Sequence, residues 1–166
     1  VQRGIEEHGT VEVEPGVQVY AYEVDGLGGV LTDFDDPTLP SLLSIPLLSY
    51  ETCDKNVYAA TRARILSDRN PYYFEGSELT GLGSPHTAHN FVWPLATAVE
   101  ALTAEGEGTA ARQAELMRDL LKMASGNGLA HESVNVDNLG ASSRPEFGWA
   151  NAMTVRASHD SFYVDR

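Results

Sequence analysis

Apolar residues recur at helical spacing in several segments of the chain, and each such segment predicts a helix. The predicted helices are a short kinked one over residues 36–46, one capped by Asp54 and ended by 67–71, one from His89 or Asn90 to Leu102, one over 109–124, and one from Pro145. The predicted buried faces contain Leu39, Leu42 and Leu43; Tyr58, Thr61 and Ile65; Leu95, Ala98, Val99 and Leu102; Met117, Leu120, Leu121 and Ala124; and Trp149, Ala152, Met153 and the stem of Arg156.

Strand patterns are scarce by comparison. β-Branched and aromatic residues alternate over 17–24, before the glycine-rich turn at 25–29, and predict one extended segment. Residues 68–88 and 125–144 show no helical pattern. Loops longer than about 12–15 residues in compact domains are usually functional or disordered. Because both segments contain aromatic residues, glycines and histidines, the chain is predicted to be mainly α, with function in its long loops.

Composition and charge exclude several classes of partner. Eleven Lys and Arg against 24 Asp and Glu give a net charge of −13, which would repel nucleic acid and anionic membranes. Cys53 is the single cysteine, so the sequence contains neither an intrachain disulfide nor a cysteine-built zinc site. No run approaches the ~18 apolar residues of a membrane span. The chain begins at Val1, without a signal-peptide pattern, and leaves its compartment open.

The second long loop contains an imidazole beside a carboxylate, His131 and Glu132, close to the glycines at 126 and 128. Such a pair suits general acid–base chemistry. The alternative is a solvated glutamate beside a histidine that is hydrogen-bonded to the backbone. A zinc-protease motif would require histidine at position 135, which is Asn135.

The first long loop ends in residues 83–87, where glycines allow close approach of a ligand and His86 offers a polar group. The alternative is a turn followed by a helix cap. His86 and His89 could share a metal ion, but no third ligand stands at motif spacing. Ser84 lacks the glycine pattern of a serine-hydrolase elbow.

Acidic residues cluster after the predicted extended segment. Carboxylates so placed can bind sugar hydroxyls or a cation, or act as acid and base. Capping by Asp35 or Asp36 is the alternative. The glycines at 26–29 do not form a dinucleotide-binding fingerprint, because Leu31 stands where the third glycine would be. The clustered carboxylates are Glu23, Asp25, Asp33, Asp35 and Asp36.

Several motifs of the chain, in order and spacing from about residue 15 to 155, resemble glycoside hydrolase family 125. The resemblance implies an (α/α)6 barrel and an exo-acting α-1,6-mannosidase that inverts the anomeric centre without a metal or other cofactor. The motifs are YAYEVDGLG at 20–28, DD at 35–36, PSLLSIP at 40–46, TR at 61–62, ILS at 65–67, NPYYFEG at 70–76, GSPHT at 83–87, HES at 131–133 and WAN at 149–151.

Twelve barrel helices of ~11 residues with ~5-residue connections would need about 190 residues. The 166 residues are therefore expected to be the C-terminal portion of a single catalytic domain, with five or six of its helices. The resemblance makes Glu132 the general base, places the general acid upstream of this chain and leaves Asp25 as a fallback acid. The residues it places around the mannose are Tyr22, Glu23, Asp25, Asp35, Asp36, His86, His131 and Arg144.

The expected partners are a mannose-containing glycan and the upstream part of the barrel. A non-catalytic carbohydrate-binding or assembly fragment that lacks the acid is the second hypothesis. A structural helical domain with merely polar loops is the third, and the ordered motifs argue against it.

Overall fold

A computed structural model describes residues 2–48, 50 and 53–163. They form two compact units, the first ending at Pro71 and the second beginning at Tyr72. The mainly α prediction is confirmed, since the described residues contain five α-helices. The strands are two to five residues long but more numerous than predicted, and they pair in four small sheets within that part of the chain. None of the helices described is long and apolar enough to cross a membrane.

The first unit contains helices α1 (Gln2–His8) and α2 (Lys55–Ile65) and two hairpins. Strand β1 (Thr10–Glu14) pairs antiparallel with β2 (Val17–Tyr20), and β3 (Glu23–Val24) pairs with β4 (Val30–Leu31). The extended segment is thus confirmed as two strands rather than one. Helix α1 lies outside every predicted helix.

Helix α2 forms as predicted. The Asp54 carboxylate accepts hydrogen bonds from the backbone N–H groups of Asn56 and Val57, and so caps the first turn. Thr61 Oγ1 accepts from the backbone N–H of Tyr20 at 2.8 Å, which ties the helix to β2. The predicted face of Tyr58, Thr61 and Ile65 is buried.

The prediction of a helix over residues 36–46 is wrong. Only a short 3-10 turn, Ile45–Leu48, forms there. The backbone N–H groups of Leu42 and Leu43 donate to the two oxygens of Asp35, at 2.8 and 2.9 Å, instead of to helical carbonyls. Pro40 has no N–H to donate. A buried carboxylate therefore organises this segment as a loop.

The second unit surrounds a core built from strands and helices. Its elements are β5 (Tyr73–Glu75), β6 (Thr80–Leu82), β7 (Phe91–Val92), α3 (Pro94–Leu102), α4 (Thr109–Lys122), β8 (Ser133–Asn135), β9 (Ser142–Ser143) and α5 (Gly148–Tyr163). Strands β7, β8 and β9 form one antiparallel sheet, and β5 pairs with β6. The long segments without helical pattern therefore contain hairpins. Buried side chains of the core are Phe74, Leu79, Val92, Ala98, Leu120, Met123, Val134, Val136 and Ala157.

Helix α3 begins at Pro94, and the predicted start at His89 or Asn90 is wrong. Phe91 and Val92 pair with β8 instead, so their backbone groups belong to a sheet. Proline suits a first helical position because its missing N–H would have no helical partner there.

Two predicted buried faces are partly wrong. Leu121 of α4 is 75% exposed, while Leu116 and Leu120 are buried. In α5, Trp149 is 48% exposed, whereas Ala157 is fully buried. Ala150 and Ala157 of α5 are buried, the predicted Ala152 is exposed, and Met153 packs against the core. The small buried residues let α5 pack closely on α3.

Candidate functional site

Glu132 immediately precedes β8 and is held by the β8–β9 hairpin. Its backbone N–H is shared between the carbonyl oxygens of Ser143 and Arg144, each at 3.1 Å. The residue is 6% exposed. A buried glutamate requires partners for its oxygens, since burying an unpaired charge is costly.

Both oxygens of the Glu132 side chain have a partner. Ser143 Oγ lies 2.9 Å from Oε2 and Arg144 Nη1 lies 3.0 Å from Oε1. Ser133 Oγ lies 2.7 Å from Ser143 Oγ and continues the network into the core. The Arg144 side chain is 72% exposed against 8% for Glu132, so this ion pair lies at the edge of the buried region.

The residues before Glu132 are anchored to the start of α5. Ala130 donates its N–H to Asn151 Oδ1 at 2.8 Å and accepts from the Phe147 N–H at 2.8 Å. His131 Nδ1 is buried and has no hydrogen-bond partner within the described part of the chain. The backbone on both sides of Glu132 is therefore fixed by hydrogen bonds, although no helix or strand includes it.

His86 lies in a turn. Its backbone N–H donates to Ser84 Oγ at 3.1 Å, and the Thr87 N–H donates to the Ser84 carbonyl at 3.3 Å. Thr87 Oγ1 accepts from Trp93 Nε1 at 3.0 Å, which ties the turn to the residue before α3. The imidazole of His86 is exposed. Residues 84–87 therefore form a turn, as in the alternative interpretation of this segment. A role for His86 in sugar binding stays a prediction.

In the first unit, the predicted sugar-binding residues Tyr22, Glu23 and Asp25 line one open cleft of about 580 Å³. The Tyr22 ring packs edge-on against Phe34, with centroids 4.7 Å apart. Burial raises the pKa of Tyr22, and the nearby carboxylates, Asp36 foremost, raise it further. The phenol therefore stays protonated and can donate to an acceptor.

The Asp25 carboxylate stabilises the β3–β4 turn. Oδ1 accepts from the N–H groups of Leu27 at 2.7 Å and Gly29 at 2.8 Å. These hydrogen bonds lower the pKa of Asp25, which is exposed. A general acid needs a pKa raised toward the working pH, so the environment of Asp25 is the opposite of what the fallback role requires.

Asp35 and Asp36 have different environments. Asp35 is fully buried, and burial raises its pKa to about 7 against the lowering effect of the Leu43 and Leu42 N–H groups. Asp36 Oδ1 accepts from the Thr38 N–H at 3.0 Å. Both carboxylates thus cap local backbone. Their predicted contacts with a sugar stay predictions.

The geometry connects Glu132 directly to one other predicted site residue, Arg144. Ser133 and Ser143, which complete the network, were not predicted as site residues. The serine of the HES motif was the available signal for Ser133. Ser143 directly precedes Arg144, which was predicted, but no local pattern shows that it reaches Glu132 through the hairpin register. No group of three or more His, Cys, Asp or Glu suited to a metal ion occurs among the residues that the structure describes.

Comparison with known proteins identifies the family of the chain. The profile of the metal-independent alpha-mannosidases, GH125, matches residues 1–157. The chain belongs to glycoside hydrolase family 125. The meiotically up-regulated gene 157 protein of Schizosaccharomyces pombe is 43% identical over 157 residues, which cover 92% of this chain and 30% of that protein.

A solved structure of the family is also similar. It is a Streptococcus pneumoniae metal-independent alpha mannosidase in a non-productive complex with alpha-1,6-mannobiose. The two structures superpose with a TM-score of 0.88 at 40% identity, over 96% of this chain and 37% of the other. The chain therefore spans 30% and 37% of the lengths of these two family 125 relatives.

Proposed function

We propose that the protein containing this chain removes terminal α-1,6-linked mannose from glycans by inversion, without a metal, and that Glu132 is its general base. The observation that carries the proposal is the buried Glu132 carboxylate, whose two oxygens have Ser143 and Arg144 as partners at 2.9 and 3.0 Å. The family membership and the mannobiose bound by the pneumococcal relative support the substrate class.

In this mechanism, water attacks the anomeric carbon on the face opposite the glycosidic oxygen. Glu132 takes a proton from that water, and a carboxylic acid gives a proton to the departing oxygen. The two carboxyl groups of an inverting enzyme are typically ~6.5–9.5 Å apart, which leaves room for the water. The released sugar is β-mannose.

The acid is proposed to lie outside this chain. The lowered pKa of Asp25 does not suit the role, and the chain spans about a third of its relatives' length. Residues 1–166 would then be the C-terminal portion of one (α/α)6 catalytic domain, whose other part supplies the acid. The proposed mannose-binding residues are Tyr22, Glu23, Asp25, Asp35, Asp36, His86, His131 and Arg144.

The test uses the full-length protein and α-1,6-mannobiose. E132A is expected to lower kcat by about 10²- to 10⁴-fold, the usual contribution of a general base. Azide should restore turnover and give β-mannosyl azide, since azide attacks without losing a proton and fits the space left by the side chain. E107Q, in an exposed loop, is the control and should retain full activity.

Two results would reject the proposal: wild-type kcat in E132A, or α-mannose as the first anomer seen by NMR. Mannobiose binding by the full-length wild-type protein without hydrolysis would favour the second hypothesis, a carbohydrate-binding or assembly role.

A further inference from the structure

The Glu132 carboxylate is the end of a hydrogen-bonded chain of two serine hydroxyls. Ser133 Oγ and Ser143 Oγ are 2.7 Å apart, and Ser143 Oγ is 2.9 Å from Glu132 Oε2. An ionised carboxylate only accepts hydrogen bonds, and a serine hydroxyl has a single hydrogen to donate. Ser143 must therefore donate to Glu132, and Ser133 must donate to Ser143.

We propose that Ser143 is a positioning residue for the general base, oriented in turn by Ser133. This inference rests on the proposed role of Glu132. Ser133 is fully buried, and its position opposite Ser143 is set by the β8–β9 register. The direction of the Ser143 hydroxyl is thus determined by the sheet and not by solvent.

Two partners orient the carboxylate plane, and they differ in rigidity. Arg144 contacts Oε1 from a long side chain that is 72% exposed, so water competes for this ion pair and weakens it. Ser143 contacts Oε2 at 2.9 Å from a short side chain, and its backbone is part of the paired strand β9. Ser143 therefore contributes most to the orientation of the carboxylate, which decides whether a lone pair of the base points at the attacking water.

A positioning role predicts a specific kinetic pattern in the full-length protein. S143A should lower kcat on α-1,6-mannobiose about 10- to 100-fold, the usual effect of losing a hydrogen bond to a charged group or of misplacing a catalytic group. KM should change less than about twofold, because Ser143 acts on the base and not on the sugar. S143T keeps the hydroxyl and should recover most of kcat.

One further variant tests the hydrogen bond from Ser133 to Ser143, and two more serve as controls. S133A should lower kcat less than S143A does, about three- to tenfold, because the Ser143 donor remains but loses its fixed direction. Ser142 is exposed on the same strand, so S142A is the matched control and should match the wild type. S143C keeps the approximate size of the side chain but has a weaker hydrogen-bond donor. It replaces S143A as the test of the positioning role if circular dichroism shows that S143A is unfolded.

The outcomes separate this inference from the proposed function. An inactive E132A with wild-type kcat in S143A, or in S143C if S143A is unfolded, overturns the positioning role and leaves the general base in place. A decrease of kcat in S143A that S143T does not reverse also overturns it. An active E132A rejects the proposed function itself.

Discussion

Gly83 is a position in the second unit where adding a single methyl group should strongly disturb the packing. It follows β6 and bridges to Val92 of β7. A Cβ placed there would come closer than 3.0 Å to the carbonyl oxygen of Phe91 and to two ring carbons of Phe74, distances that side chains essentially never show. Because the nearest atom is a backbone oxygen, rotation of a side chain cannot relieve the overlap of G83A.

The destabilisation caused by G83A can be estimated from the overpacking and from the hydrogen bonds that it strains. Overpacking of a close-packed site costs about 1–3 kcal/mol. Separation of the strands also strains the hydrogen bonds from Gly83 N–H to the Tyr72 carbonyl and from Trp93 N–H to the Leu82 carbonyl, 2.7 and 2.8 Å long. With about 1 kcal/mol for each hydrogen bond, G83A should destabilise this region by about 3–5 kcal/mol.

Amide hydrogen exchange of the full-length protein measures this local change. The amides of Val92 and Val134, in the paired strands β7 and β8, should exchange at least about 100-fold faster in G83A, since each 1.4 kcal/mol is a factor of ten. Gly126 is the control, because its added Cβ would have no atom within 4 Å. Wild-type exchange in G83A would refute the reasoning, as would equal acceleration in G126A.

Two predictions concern the first unit. D54A should lower the free energy of unfolding by about 1 kcal/mol, because α2 loses its cap, whereas D54N should stay within a few tenths of a kcal/mol; equal losses in a thermal-unfolding experiment would exclude capping as the cause. Burial raises the pKa of Asp35 to about 7, so the stability that its protonation contributes is complete below about pH 4, the ordinary value, and is lost as the pH rises through 7. The difference in melting temperature, wild type minus D35N, should therefore fall between pH 4 and 7 and then level off; parallel curves would contradict this.

The sequence predicted those elements that local rules determine. Asp54 caps α2, and the spacing of Tyr58, Thr61 and Ile65 identified its buried face, because a side-chain cap and helical periodicity act within a few residues. The same rules failed at Leu42 and Leu43. Their N–H groups bind the carboxylate of Asp35, seven and eight residues away, which helical spacing does not reveal.

Within the candidate site, the motif identified Glu132 but not its surroundings. Ser143 is eleven residues away, and it reaches the carboxylate only because β8 pairs with β9 in one particular register. Arg144 was predicted to bind sugar, and the structure shows its guanidinium at Glu132 Oε1. Pairings of this kind depend on tertiary contacts that no short-range pattern contains.

The tip of the β8–β9 hairpin limits which changes in chain length this part of the protein can accept. Asn135 Oδ1 accepts the N–H groups of Asp137 and Asn138, and the Asn135 N–H donates to the Ala141 carbonyl, so the loop is closed at one length. One inserted residue taken up by β9 would reverse the faces of that strand and turn Ser143 away from Glu132. The number of residues in this loop should therefore be fixed, both in natural relatives and in engineered variants, even at positions where any residue type is accepted.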